Sequence, residues 1–526
     1  MVLASFSLKE NYWDEFELQD KDIEFIYNHL LEIETPLTPQ ELLYVLIEER
    51  IQQEIKSIEQ QRLSGRKEYL PKDSFDVKQQ LVFPALGWRQ GEVTEKRPGW
   101  NPDYGDFEVI KVQFDDGDQK EFAADFEDHA LNQPPEIEGD NLPTPESVMA
   151  AHGDLLVSRL EEGLFANQDF VRIAFKWFPR ALLLDVNTGH LNLAEAFLDM
   201  EGGGPLPTSA LLKQVELAVD ENPKLVEFSL DLALQEDPRF DEVGPAGEIL
   251  WYLKRLEPAG VQETPYTLQY AEVEYDRNLL TPEMLELERI LDDELSPLAA
   301  TSSAGSEVTI TLIYPHLRAG TLPLTPRVRP FFPTAYETPR IRFILVDGDT
   351  GEKFPGWVVR NQGYIFGLEE WYRERELMPG SIVRIQPGKK PGEVIVNVDA
   401  QRSRRDWVRT VLVGTDGGAV FATLKQIVTA AYDERLAIAV PDTDMLDNAW
   451  ELRKKDQPPF ERTVVNMARE LTKLNTQKHV HASELYAAVN LMRRCPPGPI
   501  MALLASRPWF VHVGDLHFRF NDSEMK

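Results

Sequence analysis

The spacing of apolar and polar residues divides the chain into helical and β-rich stretches. Helical spacing dominates three stretches, residues 20–63, 146–256 and 460–506. Alternating apolar and polar positions, typical of strands, dominate residues 71–131 and 308–400. Proline-rich or Ser/Ala/Gly-rich segments at 132–146 and 298–306 indicate linkers. The pattern predicts a multidomain α+β protein.

A short phrase occurs three times in this pattern. It reads LTPQELLYVL from Leu37, LPTSALLKQV from Leu206 and VHASELYAAV from Val480. After the second and third copies, a further helix leads into matching strands, RFDEVG from Arg239 and WFVHVG from Trp509. The order helix, short strand, helix, helix and β-hairpin is that of a winged helix. The first copy supplies the helical half and is followed by a β-rich stretch without a clear hairpin.

The C-terminal copy resembles the HARE type of winged helix, which occurs in the delta subunit of bacterial RNA polymerase and in restriction and repair proteins. The matching positions are Val480, Ser483, Leu485, Phe510, Val513, Gly514 and Phe518. Residues 188–256 share the resemblance more weakly. It implies a fold that serves transcription or DNA recognition, without naming a ligand.

Two β-rich stretches resemble other known folds. Residues 71–131 resemble Tudor/KOW-like SH3 barrels through Gly91, Val93 and the phrase VQFDDGDQK, in which Asp116-Gly117 predicts a hairpin turn. Residues 308–400 resemble the DNA-binding pseudo-barrel of plant transcription factors and restriction enzymes. That second match rests on Tyr364, Gly367, Trp371, Leu377 and Gly380. Ser381 stands where that family has Asp, so a generic barrel remains the alternative.

These patterns predict winged-helix modules combined with a small SH3/Tudor-like barrel and a larger barrel-like domain. The predicted regions are a helical N-terminal region with a partial winged helix (1–70), the Tudor/SH3-like barrel (71–133), a helical region containing an acidic winged helix (146–297), a β-rich pseudo-barrel-like domain (306–411), a connecting α/β segment (412–457) and the C-terminal winged helix (458–526).

Charge is distributed unevenly along the chain. Residues 1–300 carry 25 basic and 62 acidic side chains, whereas residues 301–411 carry 16 and 12. The middle winged-helix candidate, 188–256, has 5 basic and 13 acidic residues, and the C-terminal one, 460–526, has 9 and 6. Because phosphate contact requires cations, only the back half is suited to nucleic acid. The acidic front half is suited to a protein partner with a basic surface, for example RNA polymerase.

Basic residues of the back half are the candidate nucleic-acid contacts. They are Lys389, Lys390, Arg402, Arg404, Arg405, Arg409, Arg493, Arg494, Arg507 and Arg519. Trp407 lies among the arginines and offers a ring on which a base can stack.

Enzymatic motifs are weak in this sequence. We find no GxxxxGK[ST], no GxGxxG after a strand and no GxSxG. A nuclease-like pattern at Pro102-Asp103 and Asp118–Lys120 is better explained by the predicted hairpin turn. His479, His481 and Glu484 lack a cysteine or another strong metal ligand nearby, and a structural use is favoured. We therefore predict no catalytic residues, no metal and no cofactor.

The sequence thus predicts a non-enzymatic, transcription-associated or DNA-binding protein. Two alternatives stay open, namely a protein-interaction scaffold that does not bind DNA, and a specificity or regulatory component of a restriction or defence system. No apolar run approaches the length of a membrane span, and the first residues do not resemble a signal peptide. The single Cys495 is typical of a reducing compartment. We expect a cytoplasmic protein without membrane contact.

Overall fold

A computed structural model describes residues 12–524, except 64–65, 84–85, 87–88, 103–104, 116, 128, 133–142, 216, 218–221 and 300–304; within its helices and strands, the side chains of residues 55, 57–63, 130 and 400–403 are also left out. The protein has a mixed α/β, multidomain architecture. It separates into two compact units, Met1–Leu184 with Asp220–Phe228, and Asp185–Val219 with Ser229–Lys526. No helix in the described residues has both the length and the apolar character needed to cross a membrane.

The N-terminal unit has two helices, then five strands, then one helix and a two-stranded hairpin among its described residues. In chain order they are α1 (Asp20–Ile33), α2 (Pro39–Leu63), β1 (Lys67–Glu68), β2 (Gln80–Phe83), β3 (Arg89–Asn101), β4 (Gly105–Phe114), β5 (Gln119–Ala124), α3 (Pro145–Ala166), β6 (Phe170–Ile173) and β7 (Lys176–Pro179). Thr38 caps α2, because its hydroxyl accepts from the Glu41 amide at 3.3 Å while the Glu41 carboxylate accepts from the Thr38 amide at 2.8 Å. This reciprocal pair of hydrogen bonds is a capping box.

Module 1, residues 20–63 and 145–179, completes the first copy of the repeat. Leu37 forms an antiparallel bridge with Trp177 on β7, and β7 pairs with β6. The strand order is therefore the Leu37 bridge, then β7, then β6. The expectation that the first copy has no clear hairpin is wrong, because its third helix and hairpin follow only after the whole β-rich stretch. Residues 145–184 consequently belong to the N-terminal unit, and the predicted region 146–297 is divided between the two units.

The front sheet, β1 to β5, is that β-rich stretch. Its strand order is β1-β2-β3-β4-β5, and the long β3–β4 hairpin runs antiparallel from Gly91↔Phe114 to Asn101↔Gly105. Its core is aromatic, with Tyr69 stacked on Phe83 at 4.7 Å. Asp116 lies outside the described residues, but the β4–β5 turn is present, since the Phe114 amide donates to the Asp118 carbonyl at 2.8 Å. This turn position excludes Asp118 from the middle of a strand.

The second unit begins with another helix-rich segment and continues into sheets. Its first elements are α4 (Thr188–Met200), β8 (Leu206–Pro207), α5 (Thr208–Val215), α6 (Pro223–Glu236, whose residues up to Phe228 are assigned to the N-terminal unit), β9 (Phe240–Glu242), β10 (Leu250–Leu253), α7 (Ala259–Gln262) and α8 (Pro282–Leu291). The next are β11 (Val308–Thr311), α9 (Tyr314–Ala319), β12 (Thr321–Pro323), β13 (Arg340–Asp347), β14 (Lys353–Val359), β15 (Tyr364–Phe366), α10 (Glu369–Glu374), β16 (Ile382–Pro387) and β17 (Glu393–Val398). The last are β18 (Ala400–Val413), β19 (Ala419–Ala430), α11 (Thr443–Asp456), α12 (Phe460–Thr472), β20 (His479–His481), α13 (Ala482–Met492), α14 (Pro497–Ser506), β21 (Phe510–Gly514) and β22 (His517–Phe520).

Module 2 (188–253) and module 3 (460–520) share one topology. Each has the order helix, strand, helix, helix, strand, strand. Their sheets are ordered β8-β10-β9 and β20-β22-β21, so the last strand is central in both. Module 1 has the same order when the Leu37 bridge is taken as its first strand. The repeated phrase therefore marks three copies of one arrangement.

A seven-stranded central sheet and a two-stranded ribbon follow module 2 along the chain and precede module 3. The central sheet has the order β11-β16-β17-β13-β14-β15-β12, and its core includes Ile341, Val383 and Trp371. The ribbon consists of β18 and β19, which pair antiparallel from Arg404↔Val428 to Val413↔Ala419. Its Val411 and Phe421 join the core of module 3. The ribbon is thus held between the central sheet and module 3.

Candidate nucleic-acid interface

The predicted contact residues separate into internal and exposed groups. Arg494 is fully buried. Its guanidinium donates to both oxygens of Asp293 at 2.8 and 2.7 Å and to Glu294 at 2.7 Å. Its expected role in a nucleic-acid interface is wrong, because a buried cation that is already paired with two carboxylates cannot reach a phosphate.

Arg409 and Arg507 also bind within the protein. Arg409 donates to Glu484 at 2.6 Å and to the carbonyl of Arg435 at 3.1 Å, which ties the ribbon to α13. Arg507 pairs with Glu461 at 2.9 Å on the surface of module 3. Both are therefore engaged in the free protein, and neither offers an unpaired cation to a phosphate.

The remaining predicted residues are exposed or partly exposed. Lys389 and Lys390 lie in the turn between β16 and β17, and Arg519 lies on β22. Arg404 is exposed but pairs with Asp406 at 3.0 Å. Arg493 lines a cavity and is described below. The side chain of Arg402 lies outside the described residues.

Arg405 belongs to a group of exposed side chains on one face of the ribbon. The register pairs Arg405 with Ile427 and Trp407 with Lys425. Because alternate residues of a strand share a face, these four side chains form one surface, here called the ribbon patch. Trp407 is 62% exposed and Ile427 is 59% exposed. The patch thus presents an open indole ring beside two cations.

The electrostatics of the ribbon patch favour an anionic, flat ligand. The Lys425 ammonium lies 5.2 Å from the Trp407 ring centroid, a cation–π distance. In the part of the chain that the structure describes, neither Arg405 nor Lys425 forms an ion pair with a carboxylate. Their charges are therefore available to a phosphate, and the indole is available to a base.

The opposite face of the ribbon explains why the patch stays open. Val408 and Val428 point to that face and pack on Ala437 and Ala439. Because Val408 is buried on that face, its odd-numbered neighbours Arg405 and Trp407 point to the other face. Val411 lies on the same face as Trp407 but nearer the turn, where module 3 covers it. The patch is thus a part of its face that module 3 does not cover, while the opposite face is packed at Val408 and Val428.

A histidine cluster on module 3 has a different character. His481, Asp515 and His517 place their ligand atoms within 4.8 Å of one another. Arg435, however, lies 3.0 Å from His481 Nε2 and donates to Asp515 at 3.3 Å. Burial, together with the charges of Arg435 and His517, lowers the pKa of His481 to about 4. A guanidinium within the cluster opposes a metal cation, so we assign the cluster to hydrogen bonding between the Arg435 loop and module 3.

Sequence reasoning missed Lys425 and Ile427. The strand patterning was readable, but the partner of Trp407 is set by the register of β18 on β19, which the sequence alone does not give. The aliphatic and β-branched residues of the stretch VFATLKQIV were the available signal for a second strand.

Comparison of the chain with protein-family profiles, curated proteins and solved structures finds no match.

Proposed function

We propose that this protein is a non-enzymatic nucleic-acid-binding protein of the transcription-associated kind, and that the ribbon patch contacts DNA. The main observation behind this proposal is the exposed Trp407 ring. It lies beside Arg405 and Lys425, which form no ion pair among the described residues. Stacking of a base on an aromatic ring contributes about 1–3 kcal/mol and requires an unstacked base. The patch is therefore proposed to favour single-stranded or locally opened DNA.

The three modules support this proposal through their architecture. Their shared strand order fits the winged-helix interpretation, in which modules 1 and 2 serve protein contacts and module 3 lies next to the DNA contact. Module 2 carries 13 acidic and 5 basic residues over 188–256, which opposes contact with phosphate. The acidic front half is proposed to dock on a basic protein surface such as that of RNA polymerase. The front sheet is proposed to be a Tudor-like barrel within that half.

A protein-interaction scaffold is the second candidate function. It is favoured by apolar side chains exposed near the turn of the ribbon, with Leu412 at 43% and Val420 at 48% exposure. These two residues are cross-strand partners and would suit an apolar protein surface. In that case the same ribbon would bind protein and have no affinity for DNA.

Fluorescence anisotropy of labelled oligonucleotides with the full chain tests the proposal. We expect binding of single-stranded DNA at low salt, and about a tenfold loss of affinity in Trp407→Ala, as the stacking contribution implies. Trp100→Ala is the matched control, because Trp100 is 67% exposed on the front sheet in the acidic half. Equal affinity of the two variants, or no binding at micromolar concentration, would favour the scaffold.

A further inference from the structure

A second candidate site is a cavity of about 970 Å³ between α11, the start of α12 and residues 266–271. This volume lies at the upper end of the range for small-molecule sites. The cavity walls combine aromatic and basic side chains, chiefly Tyr266, Tyr270, Trp450, Phe460, Arg453 and Arg493. None of these residues belongs to the ribbon patch.

The arginines of the cavity lack the acids that normally accompany half-buried cations. Arg453 Nη1 donates to the Thr463 hydroxyl at 3.4 Å, and its Nε is buried without a hydrogen-bond partner. Arg493 donates only weakly, to the Pro458 carbonyl at 3.4 Å. Among the described residues, neither arginine forms an ion pair with a carboxylate. Burial, and the nearby charges of Arg462 and Arg493, lower the pKa of Arg453. Such an arrangement is unfavourable for folding alone and would be relieved by an anion.

The acids near the cavity do not compensate these charges. Asp447 accepts from Arg318 at 2.7 Å and from the Tyr266 hydroxyl at 2.6 Å, so its charge is already balanced. Glu451 also lines the cavity but is exposed. The interior of the cavity therefore carries a positive excess.

The aromatic wall is held in place independently of any ligand. Trp450 Nε1 donates to the Leu491 carbonyl at 2.7 Å, which fixes the indole. Tyr266 meets that indole edge-on, with centroids 5.9 Å apart. The guanidinium of Arg493 lies 5.6 Å from the Phe460 ring centroid. Rigid rings next to unpaired guanidinium groups suit a ligand that is aromatic at one end and anionic at the other.

We infer that this cavity binds a nucleoside phosphate, with the base against the aromatic wall and the phosphate against Arg453 and Arg493. Helix α12 begins at the same cavity, and its cap residue Pro459 makes no side-chain cap hydrogen bond. The positive end of the α12 dipole therefore lies at the wall of the cavity, which favours an anion there. The ligand is either a free nucleotide or one nucleotide of a single strand, because both present the same chemistry.

Isothermal titration calorimetry of the full chain tests this inference with AMP, ribose 5-phosphate and a trinucleotide. We expect AMP to bind at least tenfold more tightly than ribose 5-phosphate, because only AMP carries the base. Arg453→Gln and Arg493→Gln should each weaken AMP at least tenfold. Arg289→Gln is the control, since Arg289 is an exposed arginine paired with Glu286 one turn away. It should leave AMP affinity unchanged.

A thermal melt separates a ligand-binding role from a structural one. Because Arg453 forms no ion pair with a carboxylate among the described residues, Arg453→Gln should keep or raise the melting temperature of the free protein while losing AMP affinity. If the trinucleotide binds more tightly than AMP and Arg453→Gln abolishes that binding, the natural ligand is a nucleotide within a nucleic-acid strand. The inference is overturned if neither AMP nor the trinucleotide binds, if ribose 5-phosphate binds as well as AMP, or if Arg453→Gln keeps AMP affinity. This inference is independent of the proposed function. Trp407→Ala tests the proposed function, and we expect it to leave AMP affinity unchanged.

Discussion

The buried ion cluster around Arg494 gives the sharpest stability prediction. Arg494 and Asp293 are both fully buried, and Glu294 is 7% exposed at its side chain. The Tyr486 hydroxyl donates to Asp293 at 2.5 Å, and His316 lies 3.1 Å from Glu294. Arg494→Met fills a similar volume but leaves two carboxylates without their main cation.

The size of the effect follows from what those carboxylates must then do. Removing one partner of a buried pair typically costs about 3–5 kcal/mol. An independent route gives the same range: protonating one carboxyl with an ordinary pKa of about 3.9 costs about 4 kcal/mol at pH 7 and about 1.5 kcal/mol at pH 5. The penalty of Arg494→Met should therefore shrink as the pH falls.

Native-state hydrogen exchange read by mass spectrometry measures this penalty locally, which suits a chain of several domains. The free energy of opening of α13 should fall by about 4 kcal/mol at pH 7 in Arg494→Met. The matched control is Arg507→Met, because Arg507 and Glu461 are 41% and 35% exposed. It should lose less than about 1 kcal/mol. Equal losses in the two variants, or a loss that does not depend on pH, would refute the reasoning.

Three further predictions concern two buried groups and one helix cap. Burial and the neighbouring Asp241 raise the pKa of Glu257 to about 8, so its contribution to stability is present below about pH 4.5 and is lost as the pH rises through about 8. Glu257→Gln should flatten the pH dependence of the local opening free energy around Glu257 over that window in native-state hydrogen exchange, and an unchanged slope would contradict this. Burial also raises the pKa of the Cys495 thiol to about 12, so a disulfide reagent should react with one thiol per chain in denaturant and with almost none in the native protein. Thr281 caps α8 through the Met284 amide at 3.3 Å; Thr281→Ala should lower the free energy of opening of α8 by about 1 kcal/mol in hydrogen exchange, whereas no change would mean that the cap is dispensable.

Local features were predictable from the sequence because short-range rules determine them. The Thr38 cap and the hairpin of module 3 follow from residues that are close together along the chain. The hairpin of module 1 was missed because about 125 residues separate it from its repeat phrase, which spans residues 37–46. The burial of Arg494 was missed because its partner Asp293 lies 201 positions away.

The candidate site was only partly predictable for the same reason. The cluster of arginines around Trp407 pointed to the correct strand, but charge alone did not distinguish the exposed Arg405 from Arg409, which pairs with Glu484. Arg405 and Arg409 lie on the same face of the ribbon, and their exposure depends on how far along that face module 3 covers it. That depends on packing between distant parts of the chain, and no local pattern encodes it.

The salt dependence of DNA binding shows most directly whether the ribbon patch contacts DNA phosphates. Affinity of the full chain for a labelled single strand is measured between about 50 and 200 mM salt for the unchanged protein and for Arg405→Gln/Lys425→Gln. Each lost phosphate contact lowers the slope of log affinity against log salt by about 0.7 for a single strand. Because the double variant loses two phosphate contacts, we expect its slope to be smaller by about 1.4. An unchanged slope would contradict it, because the ribbon patch would then make no contact with phosphate.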